Sequence, residues 1–367
     1  MNTPDSAPTL RTALVVGTGL IGTSVALALS SRGVATYLAD TNPAVARFAA
    51  ELGAGRAEEP PGPVDLAILG VPPTHVGRVL ADLQARDAAA AYTDVASVKA
   101  LPLGDAERLG CDLCSYVGGH PMAGRERSGP AAARGDLFEG RPWVLTPSPH
   151  TSPHALAAAR ELARLCGALP IEMDPAAHDH AVALVSHAPH LVSSLMAARL
   201  ADAADEAVRL CGQGIRDVTR IAASDPALWV DILSCNAAAV ADVLEALGRD
   251  LDKTVTALRA LAAGHGSADP ADLTDVLKRG NAGVARIPGK HGAPPARYAV
   301  VPVIIGDRPG ELARLFTDVG EAGVNIEDLA IEHSPGQPVG LVEISVEPAV
   351  AATLTAELRR RGWTVQE

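Results

Sequence analysis

The stretch Ala13-Leu14-Val15-Val16-Gly17-Thr18-Gly19-Leu20-Ile21-Gly22 decides the fold of the first part of this chain. Its leading apolar residues predict a buried strand, and the Gly-x-Gly-x-x-Gly turn that follows opens a helical run. In such a turn, Gly17 and Gly19 allow tight bending and the close approach of a pyrophosphate, while Gly22 lets the helix pack on the strand. The stretch therefore predicts a dinucleotide-binding turn.

Residues around this turn indicate which dinucleotide it would hold. Asp40 ends the second apolar run, at about the spacing expected of the acidic residue that binds ribose. A carboxylate there accepts hydrogen bonds from the adenosine ribose hydroxyls and repels a 2′-phosphate, so NAD is predicted rather than NADP. Leu20 and Ile21 within the turn, and Val71 with Pro72 at the end of a later strand, are expected to line the cofactor.

Short apolar runs alternate with helical stretches in the first part of the chain. The runs lie at 13–16, 35–39, 66–71, 91–94, 116–119 and 143–146. This alternation predicts an α/β Rossmann-type, doubly wound sheet of parallel strands, which we assign to residues 1–174.

Strand signals vanish after residue 174, and helical periodicity takes over. Long helices are predicted at 182–203, 205–224 and 226–263. Because they are apolar on several faces, they predict an all-α substrate and dimerisation domain, residues 175–292 with its linker, in a homodimer. The remaining residues, 293–367, have the order β-α-β-β-α, which is typical of a small α+β, ferredoxin-like domain.

The composition argues against several classes of partner. The 367 residues carry a net charge of −12, which disfavours nucleic acid and anionic membranes. Five scattered cysteines are typical of reduced thiols, so a cytoplasmic protein is predicted. The uncharged stretch 12–31 is apolar enough for a membrane span, but it divides into a strand, a turn and a helix, so no membrane segment is predicted.

Three separate segments contain the residues expected to act on a substrate. His120 lies in a turn rich in glycine and proline and is suited to be a base whose pKa lies near neutrality. Arg220, about a hundred residues later, offers a planar fork for a carboxylate. Ser97, just after a strand, is expected to hydrogen-bond the substrate or to cap a helix, and Lys99 to cap a helix or pair with a carboxylate.

A group of histidines follows the last strand of the sheet region. His187 and His190 are three residues apart and would share a helix face, with Pro189 bending the helix between them. With His178 and His180 they suggest a metal site, but no carboxylate or thiolate completes a ligand set. Substrate binding by His187 is the preferred interpretation, core packing is the alternative, and no metal is predicted.

Together these segments resemble the prephenate/arogenate dehydrogenase family of tyrosine biosynthesis. The matching motifs, in chain order, are Gly17-x-Gly19-x-x-Gly22, Thr93-Asp94-x-x-Ser97-Val98-Lys99, Gly119-His120-Pro121-Met122-Ala123-Gly124-x-Glu126-x-Ser128-Gly129, Ser186-His187-x-Pro189-His190, Asp217-Val218-Thr219-Arg220-Ile221-Ala222-x-Ser224-Asp225-Pro226 with Trp229, and Ile287-Pro288-Gly289-Lys290. They extend over about residues 12–292 in the family's order, so the resemblance is specific.

The resemblance implies NAD-dependent oxidative decarboxylation of prephenate to 4-hydroxyphenylpyruvate. It assigns His120 to the substrate's ring hydroxyl, with Ser97 in support, and places Arg220 and His187 at a substrate carboxylate or its surroundings. The alternatives are an arogenate dehydrogenase, a dual-specificity cyclohexadienyl dehydrogenase and, more distantly, a non-enzymatic amino-acid sensor. A β-hydroxy-acid dehydrogenase is disfavoured because the helical region lacks the glycine-rich lysine motif of that class.

Two neighbouring charged residues bear on substrate choice. Arg125 stands where many relatives have a small or neutral residue, and Glu126 belongs to the matching motif. If Arg125 faces the site, its guanidinium favours the additional carboxylate of prephenate and opposes the ammonium of arogenate. If it pairs with Glu126 or faces solvent, this preference disappears. Both residues are candidate substrate contacts.

The C-terminal segment resembles an ACT domain, a common amino-acid-sensing module. Asp307 and Gly310 lie at a strand-to-helix turn, where free backbone N–H groups suit an amino-acid carboxylate. Asn325 and Ile326 begin the neighbouring strand and would receive the ammonium. L-Tyrosine, the pathway product, is the predicted effector; the alternative is a module that only dimerises.

Overall fold

The structure is a computed structural model that describes residues 10–123, 129–263, 271–288, 298–333 and 339–366. The chain divides into two compact units, Met1–Arg249 and Asp250–Glu367. Residues on both sides of position 174 therefore pack into the first unit. The division into three domains remains a prediction of the sequence.

The first unit is built on a seven-stranded sheet with the order β2-β1-β3-β4-β5-β6-β7. Its strands are β1 (Thr12–Val16), β2 (Ala35–Ala39), β3 (Val64–Leu69), β4 (Ala89–Asp94), β5 (Tyr116–Pro121), β6 (Pro142–Thr146) and β7 (Leu169–Glu172). The helices that alternate with them are α1 (Leu20–Ser31), α2 (Pro43–Glu51), α3 (Pro73–Gln84), α4 (Ala100–Arg108) and α5 (Pro153–Leu165). Apolar side chains form a core on each face of the sheet, so the Rossmann-like architecture is confirmed.

Two features of this sheet differ from the sequence prediction. Strand β6 runs antiparallel to β5, so the sheet is mixed rather than wholly parallel. A parallel pairing needs a crossover, usually a helix, and the described part of the β5–β6 connection contains only the short 3-10 turn Pro130–Ala132. Strand β7 was not predicted, because it is a short and largely exposed edge strand that contains Pro170.

The helical region of the first unit is more broken than predicted. Its elements are α6 (Pro175–Val182), a π turn (Ala183–His187), α7 (Ala188–Ala201), α8 (Asp205–Val208), α9 (Gln213–Thr219), a 3-10 turn (Arg220–Ala222), α10 (Pro226–Cys235) and α11 (Ala237–Ala262), whose last part extends into the second unit.

Each break has a local cause. Pro189 lacks an N–H, and the helix accommodates it by a π turn in which Ala188 donates to the carbonyl of Ala183. The irregularity therefore precedes Pro189 instead of lying between His187 and His190. Asn236 separates α10 from α11, whose axes differ in direction by 96°.

Among the described residues, one helical stretch, Pro175–Ala201, is long and apolar enough to cross a membrane. The bent pair of α10 and α11 would be a second candidate if the two helices are counted as one span. This is weak evidence for a membrane, since helices in protein cores pass the same test. Pro175–Ala201 carries several buried polar side chains, among them His178, Asp179 and His187, that bond within the protein. The stretch 12–31 is a strand, a turn and a helix, as predicted.

The second unit contains a four-stranded antiparallel sheet with the order β11-β8-β10-β9. After α12 (Ala271–Val284), its elements are β8 (Ala299–Gly306), α13 (Glu311–Glu321), β9 (Asp328–His333), β10 (Val339–Val346), α14 (Pro348–Arg360) and β11 (Thr364–Val365). The two-residue strand β11 was too short to be predicted. It completes a β-α-β-β-α-β order over one apolar core.

Candidate active site

The glycine turn between β1 and α1 has the close packing that its sequence predicts. Gly17 has a φ of +94°, and a Cβ there would lie 2.4 Å from the carbonyl oxygen of Gly70, at the end of β3. A Cβ on Gly22 would lie 1.9 Å from the carbonyl oxygen of Gly17. At Gly19, by contrast, an added Cβ meets no atom within 4 Å. The turn thus leaves open space above the helix N-terminus, where a pyrophosphate would fit.

Asp40 follows β2 and turns its carboxylate towards this glycine turn. One oxygen accepts hydrogen bonds from the backbone N–H and the hydroxyl of Thr18, at 2.8 and 3.0 Å, and the other accepts from the N–H of Asn42 at 2.9 Å. Partial burial opposes ionisation, but these hydrogen bonds outweigh it and lower the pKa of Asp40. A charged acceptor therefore stands beside the turn, so the residues present fit the adenosine ribose of NAD.

Asp40 is expected to set the choice between NAD and NADP. The wild-type enzyme should prefer NAD at least tenfold in kcat/KM, which is about 1.4 kcal/mol. Asp40→Ser should raise the use of NADP, because it removes the charge that repels a 2′-phosphate. Asp40→Asn is the matched variant, since it removes the charge but keeps an acceptor for Thr18. Equal use of both cofactors by the wild type, or no gain with NADP in either variant, would contradict the assignment.

His120 lies within β5 rather than in the turn predicted after it, near the carboxyl end of the strand, where ligands gather in open α/β sheets. Its Nδ1 is 2.9 Å from Nε2 of His178 on α6. Burial lowers the pKa of His120 well below its usual range, and the positive charge of Lys99 and the nearby His178 and His187 add to the effect. His120 is therefore neutral at neutral pH, as a base must be.

A buried ion pair lies behind His120. Lys99, just before α4, bonds both the carboxylate of Asp94 and the backbone carbonyl of Gly119. Tyr116 donates to the other oxygen of Asp94 at 2.6 Å. The predicted alternative in which Lys99 pairs with a carboxylate is the one observed. Because Gly119 directly precedes His120, this pair fixes the backbone that carries the proposed base.

The motif containing His187 meets the later motif containing Trp229. The ring of His190 stacks on Trp229 with centroids 3.5 Å apart, and its Nε2 is 3.0 Å from the hydroxyl of Ser224. The ring of His187 approaches Trp229 edge-on, and its Nδ1 is 3.2 Å from the side-chain amide of Asn236. Both histidines thus contact Trp229, but they hydrogen-bond different partners. Among the described residues, no group of three or more potential ligands is arranged for a metal ion.

Two predicted substrate contacts have no partner among the described side chains. The half-buried Ser97 does not cap α4, whose N-cap residue is Lys99. Arg220 is exposed in a 3-10 turn that packs against α7, and no described carboxylate pairs with it. Both side chains are therefore free to meet a ligand. Arg125 and Glu126 lie outside the described residues.

The sequence prediction overlooked two residues of this site. Asp179 accepts backbone hydrogen bonds from Lys99 and Ala100 at 2.8 and 2.9 Å, and so caps α4 from another helix. Asn236 donates to the backbone carbonyl of Asp179 at 2.8 Å. The adjacent pair of His178 and Asp179 was visible in the sequence, but only the packing of α6 against the sheet brings it to His120.

The fold and this arrangement define a dinucleotide-dependent dehydrogenase with a half-buried histidine near the carboxyl end of a central strand and a helical second region. A model of the prephenate dehydrogenase nucleotide-binding domain matches residues 25–172, and a model of the prephenate dehydrogenase dimerization domain matches residues 174–279. The chain belongs to the prephenate dehydrogenase family. The predicted enzyme class, an NAD-dependent prephenate dehydrogenase, is therefore confirmed.

Individual relatives agree with the family models. A probable prephenate dehydrogenase of Streptomyces niveus, NovF, is 47% identical over 358 residues, which make up 96% of this chain and 99% of that protein. The prephenate dehydrogenase of Bacillus subtilis is 30% identical over 349 residues, 92% of each chain.

Solved structures of similar fold include enzymes for both predicted substrates. Prephenate dehydrogenase from A. aeolicus, in complex with hydroxyphenyl propionate and NAD+, has a TM-score of 0.64 at 28% identity and covers 77% of this chain and 100% of that one. Synechocystis arogenate dehydrogenase has a TM-score of 0.63 at 28% identity and covers 75% of this chain and 99% of that one.

Proposed function

We propose that this chain converts prephenate to 4-hydroxyphenylpyruvate and that His120 accepts the proton of the ring hydroxyl. The observation that carries the assignment of the base is the position of His120, whose half-buried imidazole lies near the carboxyl end of a central strand with Nδ1 2.9 Å from Nε2 of His178. The lowered pKa of His120 agrees with this role. A neutral imidazole can accept a hydrogen bond and then a proton, whereas an imidazolium cannot.

The reaction follows from this proton acceptor. When held by the glycine turn and Asp40, NAD would supply a hydride acceptor for the ring carbon that carries the hydroxyl. His120 withdraws the hydroxyl proton at the same carbon, so a ring carbonyl begins to form. Loss of the ring carboxylate as CO₂ then leaves its electron pair in the ring, which becomes aromatic, so the step is effectively irreversible. The resulting phenolate oxygen takes back the proton from His120. Ser97 supports the hydroxyl, and Arg220 with His187 holds the substrate carboxylate or its surroundings.

A direct assay tests this function. The full-length protein is mixed with NAD and either prephenate or arogenate, and absorbance at 340 nm follows the reduced cofactor. Rapid turnover of prephenate is expected. Faster turnover of arogenate would identify the alternative substrate, and turnover of neither would remove the proposal. The preference for prephenate rests on Arg125, whose guanidinium would favour an additional carboxylate.

Arg220 is expected to bind the substrate carboxylate through two parallel hydrogen bonds. Arg220→Lys should raise KM for prephenate roughly tenfold with a smaller effect on kcat, because an ammonium cannot reproduce the planar fork. Arg216→Lys, at an exposed position one turn earlier on α9, is the matched control and should leave KM unchanged. An unchanged KM in Arg220→Lys would mean that another cation holds the carboxylate.

We further propose that residues 293–367 form an ACT-like module that binds L-tyrosine. Asp307 and Gly310 line a cavity of about 280 Å³ at the N-terminus of α13, which supports an amino-acid site there. Asn325 and Ile326 precede β9, which begins at Asp328, rather than beginning that strand as predicted. Asn325 donates to Glu327 at 2.6 Å, and neither residue lines this cavity among the described residues. Asp307 is therefore the better candidate for the effector's ammonium.

L-Tyrosine should inhibit the enzyme without competing with prephenate, since its cavity lies in the second unit. Asp307→Ala should weaken this inhibition roughly tenfold, a loss of about 1.4 kcal/mol that is typical of a charge-assisted hydrogen bond. Glu347→Ala, at an exposed position in the same unit, serves as the control. Purely competitive inhibition that is equal in all three proteins would place tyrosine at the active site instead.

The proposed assembly is a cytoplasmic homodimer. Large apolar side chains are exposed along the helices of residues 175–292, including Leu195 on α7, Leu228 on α10 and Leu258 on α11. Exposure of this extent supports burial against a second copy.

A further inference from the structure

We infer that His178 and Asp179 are positioning residues that hold His120 in the tautomer whose unprotonated Nε2 faces the substrate. The inference rests on the proposed role of His120 as the base. It concerns how that role is made possible, since a histidine accepts a proton only at a nitrogen that carries none.

Three side chains form a continuous chain of hydrogen bonds beneath the site. Nδ1 of His120 is 2.9 Å from Nε2 of His178, and Nδ1 of His178 is 2.8 Å from a carboxylate oxygen of Asp179. The side chain of His178 is 1% exposed, and that of Asp179 is 8% exposed. With so little water available, both ring nitrogens of His178 depend on their protein partners.

The donor and the acceptor in each of these hydrogen bonds follow from the charge of Asp179. Burial opposes ionisation of Asp179, but hydrogen bonds from His178 and from the backbone of Ala100 and Lys99 prevail and lower its pKa. Its carboxylate is therefore an acceptor only, so Nδ1 of His178 must donate to it. In a neutral His178, Nε2 then carries a lone pair and accepts from Nδ1 of His120. Nε2 of His120 is left unprotonated and ready to accept the substrate's proton.

Asp179 also connects these hydrogen-bonded side chains to the helix α4. It caps α4 by accepting from the N–H groups of Lys99 and Ala100, and Lys99 in turn bonds the carbonyl directly before His120. The ring and the backbone of His120 are thus held by connected groups. Substitution of Asp179 would disturb the cap of α4 as well, so His178 is the better position for a test.

Two variants of His178 separate positioning from simple packing. In His178→Gln, the amide oxygen can accept from His120 while the amide nitrogen donates to Asp179. In His178→Leu, a side chain of similar bulk can do neither. We expect His178→Leu to lower kcat by roughly 10- to 100-fold, as is typical of groups that orient a functional histidine, while KM for prephenate and the affinity for NAD change little.

His178→Gln should retain most of the activity, with kcat clearly closer to that of the wild type than to that of His178→Leu. The control is His180→Gln, which changes an exposed histidine on the same helix whose ring bonds the carbonyl of Ala176. The kcat of His180→Gln should equal that of the wild type. Equal activity of the Leu and Gln variants, or wild-type kcat in His178→Leu, would overturn the inference. Thermal unfolding of each variant checks that it is folded.

Nitrogen NMR of the ¹⁵N-histidine-labelled full-length protein tests the tautomer without any substrate. The signals of His120 are identified by their absence in His120→Asn. We expect the proton of His120 on Nδ1 in the wild type and in His178→Gln, although free imidazole side chains favour Nε2. A proton on Nε2 in the wild type would overturn the inference even if His178→Leu fails to fold. If the protein does not turn over prephenate, the proposed function is wrong, but the tautomer measured by NMR is unaffected.

Discussion

Replacing His120 with asparagine should lower kcat by roughly 10²- to 10⁴-fold, with little change in the affinity for NAD. The amide N–H of asparagine can replace Nδ1–H of His120 in the bond to His178, so the site should keep its shape. An amide is not a base, however, and cannot take the hydroxyl proton. Steady-state rates at saturating NAD and prephenate give kcat, and fluorescence titration gives the affinity for NAD.

The control for this variant is His150→Asn, which changes an exposed histidine in a turn and should leave kcat unaltered. Near-wild-type turnover of His120→Asn would remove His120 from the mechanism. Acidification gives an independent check on the wild type. Because the pKa of His120 is lowered well below 6.5, kcat/KM should persist as the pH falls through 6.5 and be lost only at lower pH, where the imidazole takes up a proton.

Replacing Gly22 with alanine should destabilise the first unit by about 2–4 kcal/mol, an effect typical of severe overpacking. An added Cβ would lie 1.9 Å from the carbonyl oxygen of Gly17, and a backbone atom cannot move aside as a side chain can. Alanine is the better helix former by about 1 kcal/mol, but that gain is smaller than the expected cost of the clash. Chemical denaturation measures the free energy of unfolding.

Gly19→Ala is the matched substitution three residues earlier. Its Cβ would meet nothing within 4 Å, so the free energy of unfolding should change by less than about 0.5 kcal/mol. The affinity for NAD should fall nonetheless, because the methyl group would enter the space expected to hold the pyrophosphate. Wild-type stability of Gly22→Ala would contradict the packing of the turn, and wild-type NAD affinity of Gly19→Ala would move the cofactor elsewhere.

Much of the first unit was predictable because it depends on short-range patterns. The strand β1, the turn at Gly17 and the acidic residue at position 40 lie within a few dozen residues of one another, and their spacing suffices to predict the Rossmann-like architecture. The direction of β6 was not predictable, because the apolar run 142–146 reads the same in either orientation. It depends on the connection from β5, which lacks a helical crossover in its described part.

The helical region shows where periodicity is insufficient. Continuous apolar patterns over 182–203 and 226–263 predicted single long helices, yet the first contains a π turn and the second bends sharply at Asn236. Both breaks position polar groups. The π turn ends at His187, and Asn236 bonds His187 and the backbone of Asp179. Such breaks are stabilised by partners distant in sequence, which a local pattern does not contain.

The sequence by itself determined the dinucleotide turn, the candidate base His120 and the family, because these depend on residue identity and local spacing. Tertiary structure alone decided the surroundings that would let His120 act as a base. It brought His178 and Asp179 to the imidazole across 58 and 59 positions of the chain and set Lys99 behind it. The physical reason is that a pKa and a tautomer depend on burial and on hydrogen-bond partners. Those exist only once α6 has packed against the edge of the sheet.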